Sequence, residues 1–202
     1  MNPIALAGFA AKFAGDADPW RTFSNRDEAL KRAAILHALG PRALGRVLEL
    51  ASGNGSNSVA IARRSLRLDA TEGTREGVAL TAQALARAPR APAARLALSP
   101  RARASRLALP GKAPRSCYDA IVIAELLYYL SPAAMAQVAR DVAAAVPAHG
   151  LIVLAHHRID FYDFAQHAAG VQARFLASTR RSWQVRIVRR TARWSVIVAR
   201  PA

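Results

Sequence analysis

The chain has 202 residues, 52% of them hydrophobic, which suffices for one domain with a full core and excludes two large ones. Its single cysteine, Cys117, excludes an internal disulfide and fits a reducing cytosol. The formal net charge of +16 at pH 7 attracts phosphate backbones, anionic membranes or acidic substrates, which keeps nucleic acid open as a partner.

The N-terminal segment 1–40 is predicted to be a helical cap on a core that spans residues 46–202. Residues 4–11 are apolar but lack the basic flank of a signal peptide, which favours an amphipathic helix. Asn25 and Glu28 have the spacing of a capping box at the start of a second helix. The apolar run 120–130 is too short to span a bilayer, so we expect a single cytoplasmic domain over residues 1–202 with no membrane partner.

Residues 46–57, RVLELASGNGSN, predict a buried strand, a tight glycine turn and the start of a helix. Gly53 and Gly55 allow backbone N–H groups to approach a ligand, and the helix start adds a positive dipole end. Ser58 stands where a dinucleotide fingerprint has its third glycine, and no Gly-Lys-Ser/Thr follows. The turn therefore predicts a nucleotide cofactor other than a dinucleotide or a triphosphate.

Two further predicted strands end in acidic residues. The strand over residues 66–71 is followed by Glu72 and Gly73, and the strand over residues 118–124 by Glu125. With Glu49, three of the five glutamates of the chain lie where parallel strands end, the edge at which doubly wound folds bind ligands. Each also has a structural explanation, as a strand residue bonded to a backbone N–H or as an acid near a helix start.

The remaining pattern predicts an α/β fold: a Rossmann-like, doubly wound, mostly parallel sheet. Helices are predicted over residues 74–87 and from residue 132, and a strand buried on both faces over residues 150–155. Residues 183–188 and 194–198 alternate as a C-terminal antiparallel hairpin does. The third strand is ambiguous, because segments 94–102 and 105–113 are near copies and only one of them can form it.

The segment VLELASGNG, residues 47–55, resembles motif I of class I S-adenosylmethionine-dependent methyltransferases. With residues 18–32, the run YDAIVIAELLYYL at 118–130 and AHHR at 155–158, the chain is similar to NodS-like, nodulation-type N-methyltransferases from residue 18 to about 163. Two departures stand out. Ala51 replaces the usual first glycine, and neither near copy carries the acid that often receives the adenine amino group.

The resemblance implies S-adenosylmethionine as the cofactor. The glycine turn would hold its methionine part, and the two carboxylate oxygens of Glu72 would accept both ribose hydroxyls. Trp20 would close over the cofactor, or would serve only to anchor the N-terminal segment. The predicted cofactor-binding residues are Trp20, Glu49, Ala51, Ser52, Gly53, Gly55, Glu72, Gly73 and Glu125.

The resemblance also implies methyl transfer to a small-molecule amine, such as an amino sugar or an oligosaccharide. An amine that arrives as an ammonium must lose a proton to a carboxylate or an imidazole, and the catalytic candidates are Glu125, His156 and His157. Because neighbouring strand residues face opposite sides, only one of the two histidines points inward, and we prefer His156.

Four residues are expected to bind the substrate: Tyr128 and Tyr129 as walls of its pocket, and Arg158 and Asp160, with Asp163 nearby, as partners of a sugar or a phosphate. Packing in the core is the alternative for Tyr129, and a surface ion cluster is the alternative for the charged residues. No metal site is predicted.

Two other function classes stay open. The charge of +16 favours an RNA-binding or RNA-modifying protein, although the arginine-rich stretch 87–115 contains no aromatic residue for base stacking. Arginine supplies 26 of the 29 basic residues, which also fits a genome-wide composition bias. A non-catalytic protein of this fold is favoured by Ala51 and by the missing acid of the third strand.

Overall fold

The computed structural model describes residues 3–88 and 101–202. The helices and strands in this part of the chain are α1 (Leu6–Gly15), α2 (Arg26–Leu39), β1 (Leu44–Leu50), α3 (Ser56–Ala62), β2 (Ser65–Glu72), α4 (Arg75–Arg87), β3 (Arg101–Arg106), β4 (Ala120–Ala124), a 3-10 helix (Leu127–Tyr129), α5 (Pro132–Ala145), β5 (Leu151–His157), α6 (Val171–Ser178), β6 (Trp183–Arg190) and β7 (Trp194–Pro201).

The seven strands form one sheet in the order β3-β2-β1-β4-β5-β7-β6. The first five strands of that order are parallel, and β7 runs antiparallel to both of its neighbours. The predicted Rossmann-like sheet with a C-terminal antiparallel hairpin is confirmed. Strand order reverses between β1 and β4, which is the switch point where a crevice forms at the carboxyl ends of the strands.

Apolar side chains pack on both faces of the sheet. Neighbouring residues of β1, Val47 and Leu48, belong to different core clusters. One cluster contains Met135 of α5, and the other contains Ile35 of α2. Among residues 3–88 and 101–202, no helix combines the length and the apolarity that crossing a bilayer requires.

The third strand coincides with neither near copy, so that prediction was wrong. The strand β3 contains the last two residues of the first copy and the first two of the second, and it pairs with β2 from Arg67↔Arg101 to Glu72↔Arg106. Most of the first copy lies outside the described residues.

The start of α2 differs from the predicted capping box in one contact. Asn25 is the N-cap, and its side chain accepts a hydrogen bond from the Asp27 N–H at 2.8 Å. Glu28 does not complete the box, because its carboxylate binds the ammonium of Lys31 at 2.8 Å.

Candidate functional site

A cavity of about 650 Å³ opens at the carboxyl ends of the parallel strands. Its floor is the turn that follows β1 together with the ends of β2 and β4. Helix α1 and the loop that follows β5 complete its walls. The cavity therefore lies at the edge where the sequence pattern predicts a ligand.

The turn after β1 depends on three left-handed residues. Ala51, Gly53 and Gly55 have φ angles of 54°, 60° and 84°. Ala51 thus adopts a left-handed conformation that favours glycine, at a cost of about 1 kcal/mol. Ala51 and Gly53 line the cavity, as does Ser52, whose hydroxyl lies 3.0 Å from that of Thr81.

Gly55 is needed for the close packing of the turn against α4, not for the approach of a ligand. It does not line the cavity, and a Cβ at this position would lie 2.8 Å from the Cα of Thr81 on α4. A Cβ on Gly53 would meet only the Phe13 ring, at 3.7 Å. The two glycines are therefore required for different reasons.

Glu72 lines the cavity and ties the ends of β1 and β2 together. One carboxylate oxygen accepts hydrogen bonds from the N–H and the hydroxyl of Thr74, at 2.9 and 3.0 Å. The other accepts from the Gly53 N–H at 3.2 Å. Gly73 also lines the cavity, and Leu6 of α1 rests on it, since a Cβ there would come within 2.7 Å of that side chain.

Glu49 lies beneath the turn and does not line the cavity. It is 1% exposed and accepts a hydrogen bond from the hydroxyl of Ser58. Burial, together with the negative charge of Glu72, raises the pKa of Glu49 to about 8, although the Ser58 hydrogen bond opposes the shift. The structure thus gives Glu49 no direct access to a ligand in the cavity.

Glu125 lines the cavity at the end of β4, with a left-handed φ of 54°. Its carboxylate accepts hydrogen bonds from the ammonium of Lys31 and from the hydroxyl of Tyr128. The backbone N–H of His157 is 3.4 Å away. The carboxylate is therefore held in place from three sides.

Of the two histidines at the end of β5, His157 lines the cavity, whereas His156 was expected to do so. His156 is fully buried outside the cavity, and its Nε2 accepts a hydrogen bond from the Leu127 N–H at 3.3 Å. Burial, with the positive charge of Lys31, lowers the pKa of His156 to about 3. His157 lines the cavity instead, with its Nε2 3.8 Å from Glu125 and its Nδ1 3.3 Å from the Arg193 carbonyl oxygen.

Four aromatic side chains of the cavity lining pack against one another and connect α1 with the 3-10 helix that follows β4. They are Phe9, Phe13, Trp20 and Tyr129. Trp20 packs edge-on against Phe13 at 5.5 Å, and Phe9 packs edge-on against Tyr129 at 4.9 Å. Sequence reasoning missed the two phenylalanines, although their spacing of four residues places them on one face of a helix.

Tyr128 lines the inner wall and is almost fully buried. Its ring stacks on Phe164 with the centroids 3.8 Å apart. Asn54, another residue that sequence reasoning missed, lines the cavity and donates to the Asp18 carboxylate at 2.9 Å. That bond connects the glycine turn to the segment that carries Trp20.

Arg158 and Asp160, the predicted partners of a sugar or a phosphate, lie in the loop that follows β5. Neither side chain lines the cavity. The guanidinium of Arg158 donates to the Thr191 carbonyl oxygen, and Asp160 accepts from the Ala168 N–H at 2.6 Å. Asp163 of the same loop does line the cavity, and its carboxylate lies 3.6 Å from the ammonium of Lys12.

No protein-family model and no curated protein matches this chain. Among solved structures, it is similar to the N-methyltransferase NodS from Bradyrhizobium japonicum WM9 in complex with S-adenosyl-L-homocysteine, with a TM-score of 0.75, 16% identity, and coverage of 96% of this chain and 98% of that chain. The DhpI complex with S-adenosylhomocysteine has a TM-score of 0.68 and 20% identity over 97% of this chain and 94% of that chain.

A third similar structure is a TehB-like S-adenosylmethionine-dependent methyltransferase from Corynebacterium glutamicum, with a TM-score of 0.66 and 16% identity over 95% of this chain and 99% of that chain. At these identities the likeness establishes the fold. The chain has a Rossmann-like methyltransferase fold along nearly its whole length.

Proposed function

We propose that this protein is an S-adenosylmethionine-dependent methyltransferase that transfers a methyl group to the nitrogen of a small amine, such as an amino sugar. The observation that carries the proposal is the convergence of the glycine turn, Glu72 and Glu125 on one cavity of about 650 Å³. This volume is within the range of cofactor and small-ligand sites. Structural neighbours crystallised with S-adenosylhomocysteine add support.

The cofactor would lie along the carboxyl ends of β1, β2 and β3. The turn of Ala51, Ser52 and Gly53 would hold its methionine part. Glu72 accepts three hydrogen bonds within the protein, and a carboxylate has about four acceptor sites, so its geometry still allows contact with a ribose hydroxyl. Leu107, which follows β3 and lines the cavity, would give the adenine an apolar contact where the acid is missing.

When bound, the cofactor would supply a methyl group carried on a sulfonium sulfur. The amine nitrogen would attack the methyl carbon in line with the carbon–sulfur bond and displace the sulfur. The acceptor ammonium first loses one proton. Its nitrogen lone pair then forms the new bond to carbon as the sulfur–carbon bond breaks, and that electron pair stays on sulfur, leaving a neutral thioether. The work of this chain is to align the amine and to accept the proton.

His157 is the residue we propose as the proton acceptor. The Nδ1 atom of its ring lies 3.3 Å from the carbonyl oxygen of Arg193, and the Nε2 atom lies 3.8 Å from a carboxylate oxygen of Glu125. When Nδ1 carries the N–H and donates it to that carbonyl, Nε2 keeps a lone pair that can accept a proton, because 3.8 Å is beyond hydrogen-bond distance. Glu125, already held by Lys31 and Tyr128, would stabilise the charge that His157 acquires.

Calorimetric titration with S-adenosylhomocysteine, on protein freed of nucleic acid, tests the proposal. We expect saturable one-to-one binding that Glu72→Gln weakens. Glu76→Gln, a matched change on α4 outside the cavity, should leave the affinity unchanged. No binding to the wild-type protein, or equal affinity in both variants, would overturn the assigned cofactor site.

A further inference from the structure

The cavity has the opposite charge to the chain that surrounds it. The net charge of the chain is +16, yet the charged lining within the described residues consists of four carboxylates and one lysine, with no arginine. The carboxylates are Glu28, Glu72, Glu125 and Asp163. Such a lining favours cations and disfavours phosphate or carboxylate groups.

Three of these carboxylates already have strong partners. Glu72 accepts three hydrogen bonds from Gly53 and Thr74. Glu28 and Glu125 share the buried ammonium of Lys31. Neutral donors hold Glu72, and the one positive charge of Lys31 serves both Glu28 and Glu125, so each of the three has a close polar partner within the protein.

Asp163 differs from the other three. It is 7% exposed, and no N–H or O–H in residues 3–88 and 101–202 donates a hydrogen bond to its carboxylate. The ammonium of Lys12 is the nearest cation, at 3.6 Å, which is beyond hydrogen-bond distance. Since buried carboxylates are normally hydrogen-bonded, Asp163 has acceptor capacity for a cationic donor.

Lys12 shows that this corner of the cavity accommodates an ammonium group. Its Nζ lies 5.5 Å from the centre of the Trp20 ring and 3.6 Å from the Asp163 carboxylate. One cation therefore interacts with both the aromatic face and the carboxylate. Burial, followed by the negative charge of Asp163, raises the pKa of Tyr129. A third of the Lys12 side chain is exposed, so it can swing into solvent.

We propose that Asp163 binds the ammonium group of the acceptor, which displaces Lys12, and that the acceptor is a small cationic amine without a phosphate or carboxylate group. This inference rests on the proposed function and names the substrate class of the same site. Asp163 thereby acts as a specificity-determining residue. Trp20 offers the aromatic face over which the ammonium and its methylated product lie.

The test is calorimetric titration of the protein saturated with S-adenosylhomocysteine, using ethanolamine, glucosamine and phosphoethanolamine as probes. We expect at least one of the two unphosphorylated amines to bind, and phosphoethanolamine to bind more weakly than ethanolamine. Asp163→Asn should weaken amine binding about tenfold or more, as loss of a charge-assisted hydrogen bond does. Asp141→Asn removes the same charge outside the cavity and should change nothing.

The variant Lys12→Met tests whether the amine displaces Lys12 or whether Lys12 itself binds the acceptor. If the amine displaces Lys12, this variant binds the amine at least as tightly as the wild-type protein. If Lys12 instead holds an anionic group of the acceptor, the variant loses binding and the proposal is overturned. It is also overturned if the cofactor product binds and neither amine does, or if Asp163→Asn binds amines normally. Failure of the wild-type protein to bind S-adenosylhomocysteine would count against the proposed function instead.

Discussion

The ammonium of Lys31 on α2 is buried against the carboxylate of Glu125 at the end of β4, and Lys31 is only 2% exposed. Glu28 supplies a second carboxylate at 2.8 Å. Burial alone would lower the pKa of Lys31, but the negative charges of Glu125 and Glu28 outweigh it and raise that pKa. The helix that precedes the sheet therefore helps to fix a carboxylate of the cavity.

Lys31→Met should lower the free energy of unfolding by about 2–3 kcal/mol, because it leaves two carboxylates without a countercharge. We place the value below that of a fully buried pair because 27% of the Glu125 side chain is exposed. Urea denaturation at pH 7 measures it. Lys112→Met, an exposed lysine, is the matched control and should have little effect.

The same ion pair predicts an alkaline loss of stability. A lysine whose pKa is raised on folding stabilises fully below its ordinary value of 10.5, and that contribution is lost as the pH rises through the folded value. The unfolding free energy of the wild-type protein should therefore fall more steeply above pH 10.5 than that of Lys31→Met. Parallel curves for the two proteins would contradict this assignment.

Glu49→Gln should stabilise the protein, and most of all at alkaline pH. Burial raises the pKa of Glu49 from 4.5 to about 8, so between these values the folded state holds a proton that the unfolded chain has released. Wild-type stability therefore decreases as the pH rises through this window, by a few kcal/mol in total. Melting temperatures of both proteins from pH 5 to 9 should diverge as the pH rises, and a constant difference would refute the shift.

The end of β5 shows which part of the site the sequence predicts and which part it does not. Alternation along a strand predicts that only one of His156 and His157 faces the cavity. Which one does so depends on the pairing of β5 with β4 and β7, where Ala155 lies beside Ala124 and Val196. Long-range register sets the side, and it places His157, not the preferred His156, at the cavity.

The floor of the cavity was predictable because its signals are local. A strand, a glycine turn and a helix start follow one another within residues 46–57, and the strand-end acids Glu72 and Glu125 fall beside them. The walls formed by α1 and the loop after β5 were not predictable, because Lys12 of α1 and Asp163 of that loop are far apart in sequence. Their contact depends on how α1 packs over the sheet, which no local pattern specifies.

His157→Ala should lower the rate of methyl transfer by about 100-fold or more, the usual contribution of a general base, while S-adenosylhomocysteine affinity stays near that of the wild-type protein. His167→Ala removes an exposed imidazole that contacts Asp160 outside the cavity, and it should retain full activity. The rate is measured as turnover with the amine that the titrations identify, and the affinity for S-adenosylhomocysteine is measured by calorimetry. An equal loss of rate and cofactor affinity would reassign His157 to binding.

The two glycines of the turn should lose stability to different degrees when each is changed to alanine. Gly55→Ala should destabilise the protein by about 2–3 kcal/mol, because its Cβ meets the backbone of Thr81 at 2.8 Å and φ is 84°. Gly53→Ala costs only the left-handed conformation, about 1 kcal/mol, since the nearest atom to its Cβ is in the Phe13 ring at 3.7 Å.

Binding of S-adenosylhomocysteine should reverse that ranking. Gly53 lines the cavity, so its added methyl group occupies space that the ligand needs, whereas Gly55 does not line it. Denaturation and calorimetry on the two variants, at a temperature where both are folded, therefore separate packing from ligand contact. If Gly53→Ala were the less stable variant and Gly55→Ala the weaker binder, the roles assigned to the two glycines would have to be exchanged.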